Sequence, residues 1–305
     1  ALRRPRNHLT TLISQLVMEM VEDGEQVVSF EDEHVSAADR ALGTHLAGEL
    51  TRYRWRHDGR GKEFQAANLH FYGSSIPGNG LGAFTADPVS ILVEGGAQDG
   101  MAKSARGSKV VVLKGLNYQG QWLDGSVGKG FAYGAQEGLF IVQGNADSRA
   151  CIRLSGADVV IGGEITQPLR DDLGFLGTRA NIKGFACEYM TAGRVLILGD
   201  PGPWMCAGMT GGVVYLRLQP EMGFDEAAIR RRLAKGARVE LRPVADEDWA
   251  GIQELLRAYG HELLLNNQQR AARRLRALAE AGPANPSTGL RTSFVKIVPL
   301  QSREE

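Results

Sequence analysis

The residues best suited to covalent or redox chemistry are Cys151, Cys187 and Cys206. A thiolate is a nucleophile, and clustered thiolates can hold zinc or an iron–sulfur centre. These three are scattered and lack CxxC-type spacing, so the sequence predicts small apolar residues of the interior rather than a cluster. Asp99, Asp124, Asp147 and Asp158 raise acid–base cleavage of a polysaccharide as another chemistry. That chemistry needs converging carboxylates, but Asp99 follows its strand glycine by four residues and Asp147 by three. Gly78-Asn79-Gly80-Leu81-Gly82 has the glycine density of a phosphate loop. It lacks the Gly-Lys-Ser/Thr ending and reads as a tight turn. His70 and His261 stand at no zinc spacing and read as hydrogen-bonding or surface residues. Met190, Met205 and Met209 read as packing. Arg230, Arg231 and Arg232, with Arg270, Arg273, Arg274 and Arg276, form either a solvated helix face or a docking surface for an acidic partner.

These residues must be positioned by a chain of 305 residues with 35 basic and 35 acidic side chains. The balance argues against a nucleic acid or an acidic membrane as partner. An odd, sparse cysteine set fits a reducing compartment, and neither a signal peptide nor a long apolar run is evident. The expected location is therefore cytoplasmic. Glycine is the outlier at 39 residues, concentrated between Gly73 and Gly212.

Three segments are expected. Residues 1–67 form an N-terminal helical segment. Leu9, Leu12, Ile13, Leu16, Val17, Met20 and Val21 recur at helical spacing. Asp23-Gly24 stops that helix, a strand follows over Gln26 to Phe30, and a second helix covers Ala37 to Arg54. Residues 68–224 carry short apolar runs ended by glycine. The runs are Ile91-Leu92-Val93, Val110 to Leu113, Phe140 to Val142, Val159 to Ile161, Val195 to Leu198 and Val213 to Leu216. Residues 225–305 return to helix, with stripes at Trp249, Ile252, Leu255, Leu256 and Tyr259 and at Ala271, Leu275 and Leu278. Gly282-Pro283 ends the helix and Phe294 to Pro299 closes the chain as a strand.

Glycines close the central runs at Gly95, Gly115, Gly144, Gly162 and Gly199. A second set of corners lies at Gly107, Gly138, Gly156, Gly193 and Gly211. A unit of 18 to 20 residues repeats, with insertions near Asn117 to Asp124 and Thr166 to Thr178. Cys151 and Cys206 each follow a closing glycine by seven residues and so share a station. Such a period reads as a mainly-β solenoid whose helical flanks cap its ends. A β-sandwich with glycine-rich turns is the alternative.

The sequence also resembles the glycine-rich GXGXG domain that ends glutamate synthase large subunits. Asp39-Arg40-Ala41-Leu42-Gly43 and Leu46-Ala47-Gly48-Glu49 are similar to the family's opening segment. Gly73-Ser74-Ser75 with Gly82-Ala83-Phe84 resembles the next. Glu94-Gly95 with Asp99, Lys103 and Gly107 follows. Cys187-Glu188-Tyr189-Met190-Thr191 and Gly208-Met209-Thr210-Gly211-Gly212 match most closely, and Phe294-Val295-Lys296 with Pro299 resembles the end. The departures are Ser74 to Gly80 and the insertion around Gln167 to Gly177.

The resemblance implies a right-handed β-helix that is a separate, non-catalytic structural subunit. It would hold a glutaminase-type amidotransferase subunit beside an FMN/iron–sulfur synthase subunit, in a glutamate synthase-like or N-methylglutamate synthase-like complex. FMN and the iron–sulfur cluster would lie in a partner, with no cofactor, metal or catalytic residue in this chain. The chain begins Ala1-Leu2, without the family's N-terminal cysteine nucleophile. Ser74, Asn79, Phe84, Cys187, Glu188, Tyr189 and Met190 are the candidate interface or packing residues. Two alternatives stay open: a structural subunit of another redox complex, such as formylmethanofuran dehydrogenase, or an independent carbohydrate-active β-helix enzyme.

Overall fold

Asn7 caps the first helix by accepting from the Thr10 N–H at 3.2 Å. This helix, α1 (His8–Glu22), buries Ile13, Val17 and Val21 along one stripe. It is followed by β1 (Val27–Glu33), α2 (Thr44–Arg56), β2 (Ala66–Ser75), β3 (Val89–Gly95) and β4 (Arg106–Leu113). Next come a small hairpin of β5 (Gly115–Leu116) and β6 (Trp122–Leu123), then β7 (Glu137–Val142), β8 (Ser155–Ile161), β9 (Ala192–Ile197) and β10 (Val213–Arg217). The chain ends with α3 (Glu226–Arg232), β11 (Val239–Val244), α4 (Asp246–Leu265), α5 (Gln269–Glu280) and β12 (Arg291–Pro299). This computed structural model describes residues 7–57, 64–174, 176–280 and 291–300; the expected stop at Gly282-Pro283 lies outside them.

Ten strands form one sheet in the order β1-β2-β3-β4-β7-β8-β9-β10-β12-β11. All neighbours from β1 to β10 are parallel, and β12 runs antiparallel to both β10 and β11. Strands from all three expected segments therefore share one sheet. The expected mainly-β, right-handed β-helix is thus corrected: the protein is a mixed α/β fold built on one mostly parallel sheet. The glycine period marks where strands end. It recurs equally in a parallel sheet whose neighbouring strands are consecutive in sequence, and it says nothing about where the helices lie.

Helix α4 lies on a face of the sheet. Val111, Leu113, Ile141, Val160, Leu196 and Leu198 form one core with Trp249, Ile252, Leu255, Leu256 and Leu263 of α4. The opposite sheet face, with Val110, Val112, Phe140, Val142, Val159 and Ile161, forms the larger core. Both faces are covered, which is why these strands read as unbroken apolar runs rather than alternating ones. Charges fix the position of α4. Lys109 of β4 meets Glu262 at 2.7 Å, Arg194 of β9 meets Glu254 at 2.8 Å, and Lys296 of β12 meets Asp248 at 2.7 Å.

The second helix starts later than the expected Ala37. Gly43 immediately before it has φ +88° and Ala41 has φ +53°, so the helix cannot run through them. The segment before it is a turn in which Asp39 accepts from the Ser36 N–H at 2.9 Å. Four strands carried too little apolar signal for the sequence reading: β2, β11 and the two of the β5–β6 hairpin in the first insertion.

Candidate functional site: a repeated turn face and a cleft

Ahead of most strands of the parallel ladder, every second residue of a short turn is left-handed. The first three such triplets are Gly80/Gly82/Phe84, Gly100/Ala102/Ser104 and Gly130/Ala132/Gly134. The last three are Arg149/Cys151/Arg153, Phe185/Cys187/Tyr189 and Trp204/Cys206/Gly208, and φ lies between 52° and 83° throughout. A left-handed conformation costs a non-glycine residue about 1–2 kcal/mol. Hydrogen bonds between successive turns offset that cost. The middle N–H points back: Ala102 donates to Leu81 O at 2.8 Å and Cys187 to Ala150 O at 2.9 Å. The flanking N–H groups point forward: Gly100 donates to Lys129 O at 2.8 Å and Arg153 to Glu188 O at 2.7 Å. Each turn is thereby bound to the one before and the one after.

The middle positions are all small, because their side chains face the core. At Gly82 a Cβ would lie 2.7 Å from a methyl of Val110. Cys151, Cys187 and Cys206 occupy this station on three successive turns and are fully buried. Cys187 is the middle of the three in chain order. Its thiol and burial push the Cys151 and Cys206 thiols well above their ordinary value. The described residues contain no group of three His, Cys, Asp or Glu side chains that could hold a metal ion.

The outer positions face solvent and carry aromatic and cationic side chains. Phe84, Tyr189 and Trp204 are 61%, 52% and 53% exposed. Phe185 stacks on Trp204 with ring centroids 4.9 Å apart. Arg149 lies over Phe185 at 5.8 Å, Arg153 over Tyr189 at 5.7 Å and Lys103 over Tyr133 at 5.2 Å. Of the seven residues singled out from the sequence, Asn79, Phe84 and Tyr189 are exposed here. Ser74 and Glu188 are half-buried, while Cys187 and Met190 are wholly buried and face the core.

The sequence-selected glycines fall into two kinds. Gly95, Gly107, Gly138, Gly156 and Gly193 have φ between 96° and 148°. Gly115, Gly144, Gly162, Gly199 and Gly211 lack that feature but sit where a Cβ would collide with a neighbour. Gly162 lines a second feature, a cleft of about 760 Å³ between the second insertion and helices α4 and α5. At Gly162 a Cβ would lie 2.6 Å from the Tyr259 hydroxyl, so only glycine lets that ring lie against the strand end.

The insertion is latched by charge. Arg232 is fully buried at the end of α3 and grips two carboxylates with both edges of its guanidinium. Its Nε and one terminal nitrogen donate to Asp200 at 2.5 and 2.7 Å, and its terminal nitrogens donate to Asp171 at 2.8 and 2.9 Å. Arg231 adds a bond to Asp171 at 2.8 Å. Hydrogen bonds from Arg232 and Arg231 hold the Asp171 carboxyl below the usual carboxylate value. The three consecutive arginines are therefore not one solvated or docking face: Arg230 pairs with Glu226, Arg231 with Asp171, and Arg232 is interior. Sequence reasoning missed this. The signal was Ala228 and Ile229, which put position 232 on the buried side of a helix.

The four carboxylates weighed for acid–base work do not converge. Asp158 is gripped by Arg194 at 2.6 Å and Asp147 pairs with Lys183 at 3.3 Å. Asp124 and Asp99 accept from the Ser126 hydroxyl and the Lys129 N–H, each at 2.8 Å. His70 pairs with Glu94 at 2.7 Å, which raises its pKa above 6.5.

A family model described as "GXGXG motif" matches residues 10–168 and 179–280. The glutamate synthase [NADPH] large chain of Bacillus subtilis (strain 168) is 29% identical over 229 residues, covering 72% of this chain and 13% of that protein. The ferredoxin-dependent glutamate synthase of Cyanidium caldarium is 31% identical over 217 residues, covering 68% of this chain and 12% of that protein. The chain thus spans a small part of the curated relatives it matches. No helix among the described residues is long and apolar enough to cross a membrane.

Proposed function

Since this chain belongs to the GXGXG family, we propose that it is a structural, non-catalytic part of a glutamate synthase-like complex. In this reading it is a rigid body that holds a glutaminase-type unit and an FMN/iron–sulfur synthase unit in fixed geometry. The cofactors belong to the partner, and ammonia made at one site reaches the other without loss to water. One observation carries the reading. The turn face is clamped by backbone bonds in both directions, yet it presents exposed aromatic and cationic side chains at its outer stations. Aromatic residues and arginine are the side chains most enriched at protein interfaces. A rigid frame presenting them loses little conformational entropy on docking.

The test is affinity capture of this chain from its native source, with mass spectrometry and an absorption spectrum of the eluate. The expected result is a yellow, iron-containing eluate holding a glutaminase-like chain and a flavoprotein. Removing the chain should leave glutamine hydrolysis intact but uncouple it from synthesis. A colourless chain eluting alone, or full coupling in its absence, would overturn the proposal.

A further inference from the structure

The cleft beside the second insertion differs in kind from the turn face. Its outer wall is built by Leu169, Arg170, Asp171, Leu173, Leu176 and Thr178, which fall in the gap between the two stretches of the family match. Leu169, Leu173 and Leu176 line that side, while Leu263 and Leu275 line the opposite one. The lining is thus apolar on two sides, in a volume typical of small-molecule sites, about 300–1,000 Å³.

Five cationic side chains and four carboxylates line it. The Tyr259 hydroxyl reaches the cleft floor and has no hydrogen-bond partner among the described residues, although the residue is only 4% exposed. The ring is packed in the interior, while the hydroxyl oxygen opens onto the cleft, where a ligand can reach it. Burial holds this phenol well above its ordinary pKa, so it keeps its proton and can donate. Arg274 also lines the cleft, and among the described residues its one ion pair is a 3.9 Å contact with Glu164. Arg179 lines it too and has no ion-pair partner among the described residues. The acceptors are already committed. Of the four carboxylates, Asp171 and Asp200 are gripped by Arg232, Glu164 is shared between Arg217 at 3.5 Å and Arg274, and Asp124 accepts from the Ser126 hydroxyl at 2.8 Å.

The geometry points to a binding site for a small organic anion, a carboxylate attached to an apolar body, between the 164–179 segment and helices α4 and α5. Tyr259 and Arg274 bind the carboxylate, Arg179 supplies further positive charge, and the leucines of both walls hold the apolar part. The site stands independently of the docking role, since it uses none of the residues of the turn face.

Calorimetric titration of the full chain with octanoate, and with octanamide as the neutral match, tests it. Octanoate should bind at one saturable site, and octanamide at least tenfold more weakly. Tyr259→Phe removes only the unpartnered hydroxyl, so folding is preserved. It should weaken octanoate binding about tenfold, and Arg274→Gln should do the same. Arg276→Gln, on the same helix but paired with Glu280 away from the cleft, should change nothing. No saturable binding of octanoate up to millimolar concentration would overturn the assignment. So would equal binding of the amide, or octanoate binding unchanged in the Tyr259→Phe, Arg274→Gln double variant.

Discussion

The turn face and the cleft region are held together by opposite means. On the turn face, main-chain hydrogen bonds do the work, and side chains need only be small inside and are free outside. Around the cleft, side-chain charges do the work, with Arg232 tying a loop, a strand end and a helix to one another. The first kind of structure tolerates varied outer residues, and Phe, Arg, Trp, Ser and Gly all occupy its outer stations. The second depends on single residues.

The sharpest way to break that contrast is Arg232→Met. It strands the buried Asp200 and leaves Asp171 with Arg231 alone, and losing one partner of a buried ion pair costs about 3–5 kcal/mol. Urea unfolding should show that loss. A change under about 1 kcal/mol would mean that the latch contributes little. Next in size is Cys187→Val, which forces a β-branched side chain into a left-handed position and into a filled core station. We expect a loss of about 2–3 kcal/mol, against a smaller loss for Cys187→Ala. Equal losses would show that neither the backbone conformation nor the column's volume is limiting.

The half-exposed His70–Glu94 pair between β2 and β3 offers a milder test of charge-based anchoring. Its raised folded pKa means that its contribution is fully present below pH 6.5 and fades as pH rises through the folded value. Titration by NMR should place His70 above 6.5, and Glu94→Gln should bring it down. An unchanged value in the variant would assign the shift elsewhere. Smallest in stability is Trp204→Ser on the outer face, at about 0.5 kcal/mol. The same change should reduce capture of the partner units, and unaltered capture would move the docking surface off this face.

The sequence revealed one region better than the other. The apolar runs at Val110 to Leu113 and Val159 to Ile161 lie in strands, and the stripe from Trp249 to Tyr259 lies on α4. The arrangement of layers was misread, because the spacing of glycines records only the ends of strands. The left-handed triplets were also illegible. Their defining property is a backbone angle, and Ala102, Cys151 and Cys187 share that angle without sharing a residue type. The cleft was visible only as an insertion. Its function-bearing groups, Tyr259, Arg179 and Arg274, come from distant parts of the chain, and nothing local marks them as neighbours.

The strand reversal at β12 has a consequence for self-association. A parallel ladder is a template, and an exposed last strand invites the next copy to continue it into a filament. Here the last parallel strand, β10, is sealed by a strand running the other way. The true outer rail is β11, interrupted by Pro243 and bearing Glu240 and Arg242. The opposite rail, β1, ends in Glu31-Asp32-Glu33. Charge at both rails, and proline at one, discourage strand addition. The repeat is finite by construction, and its sheet edges oppose copying while its turn face stays free for other molecules.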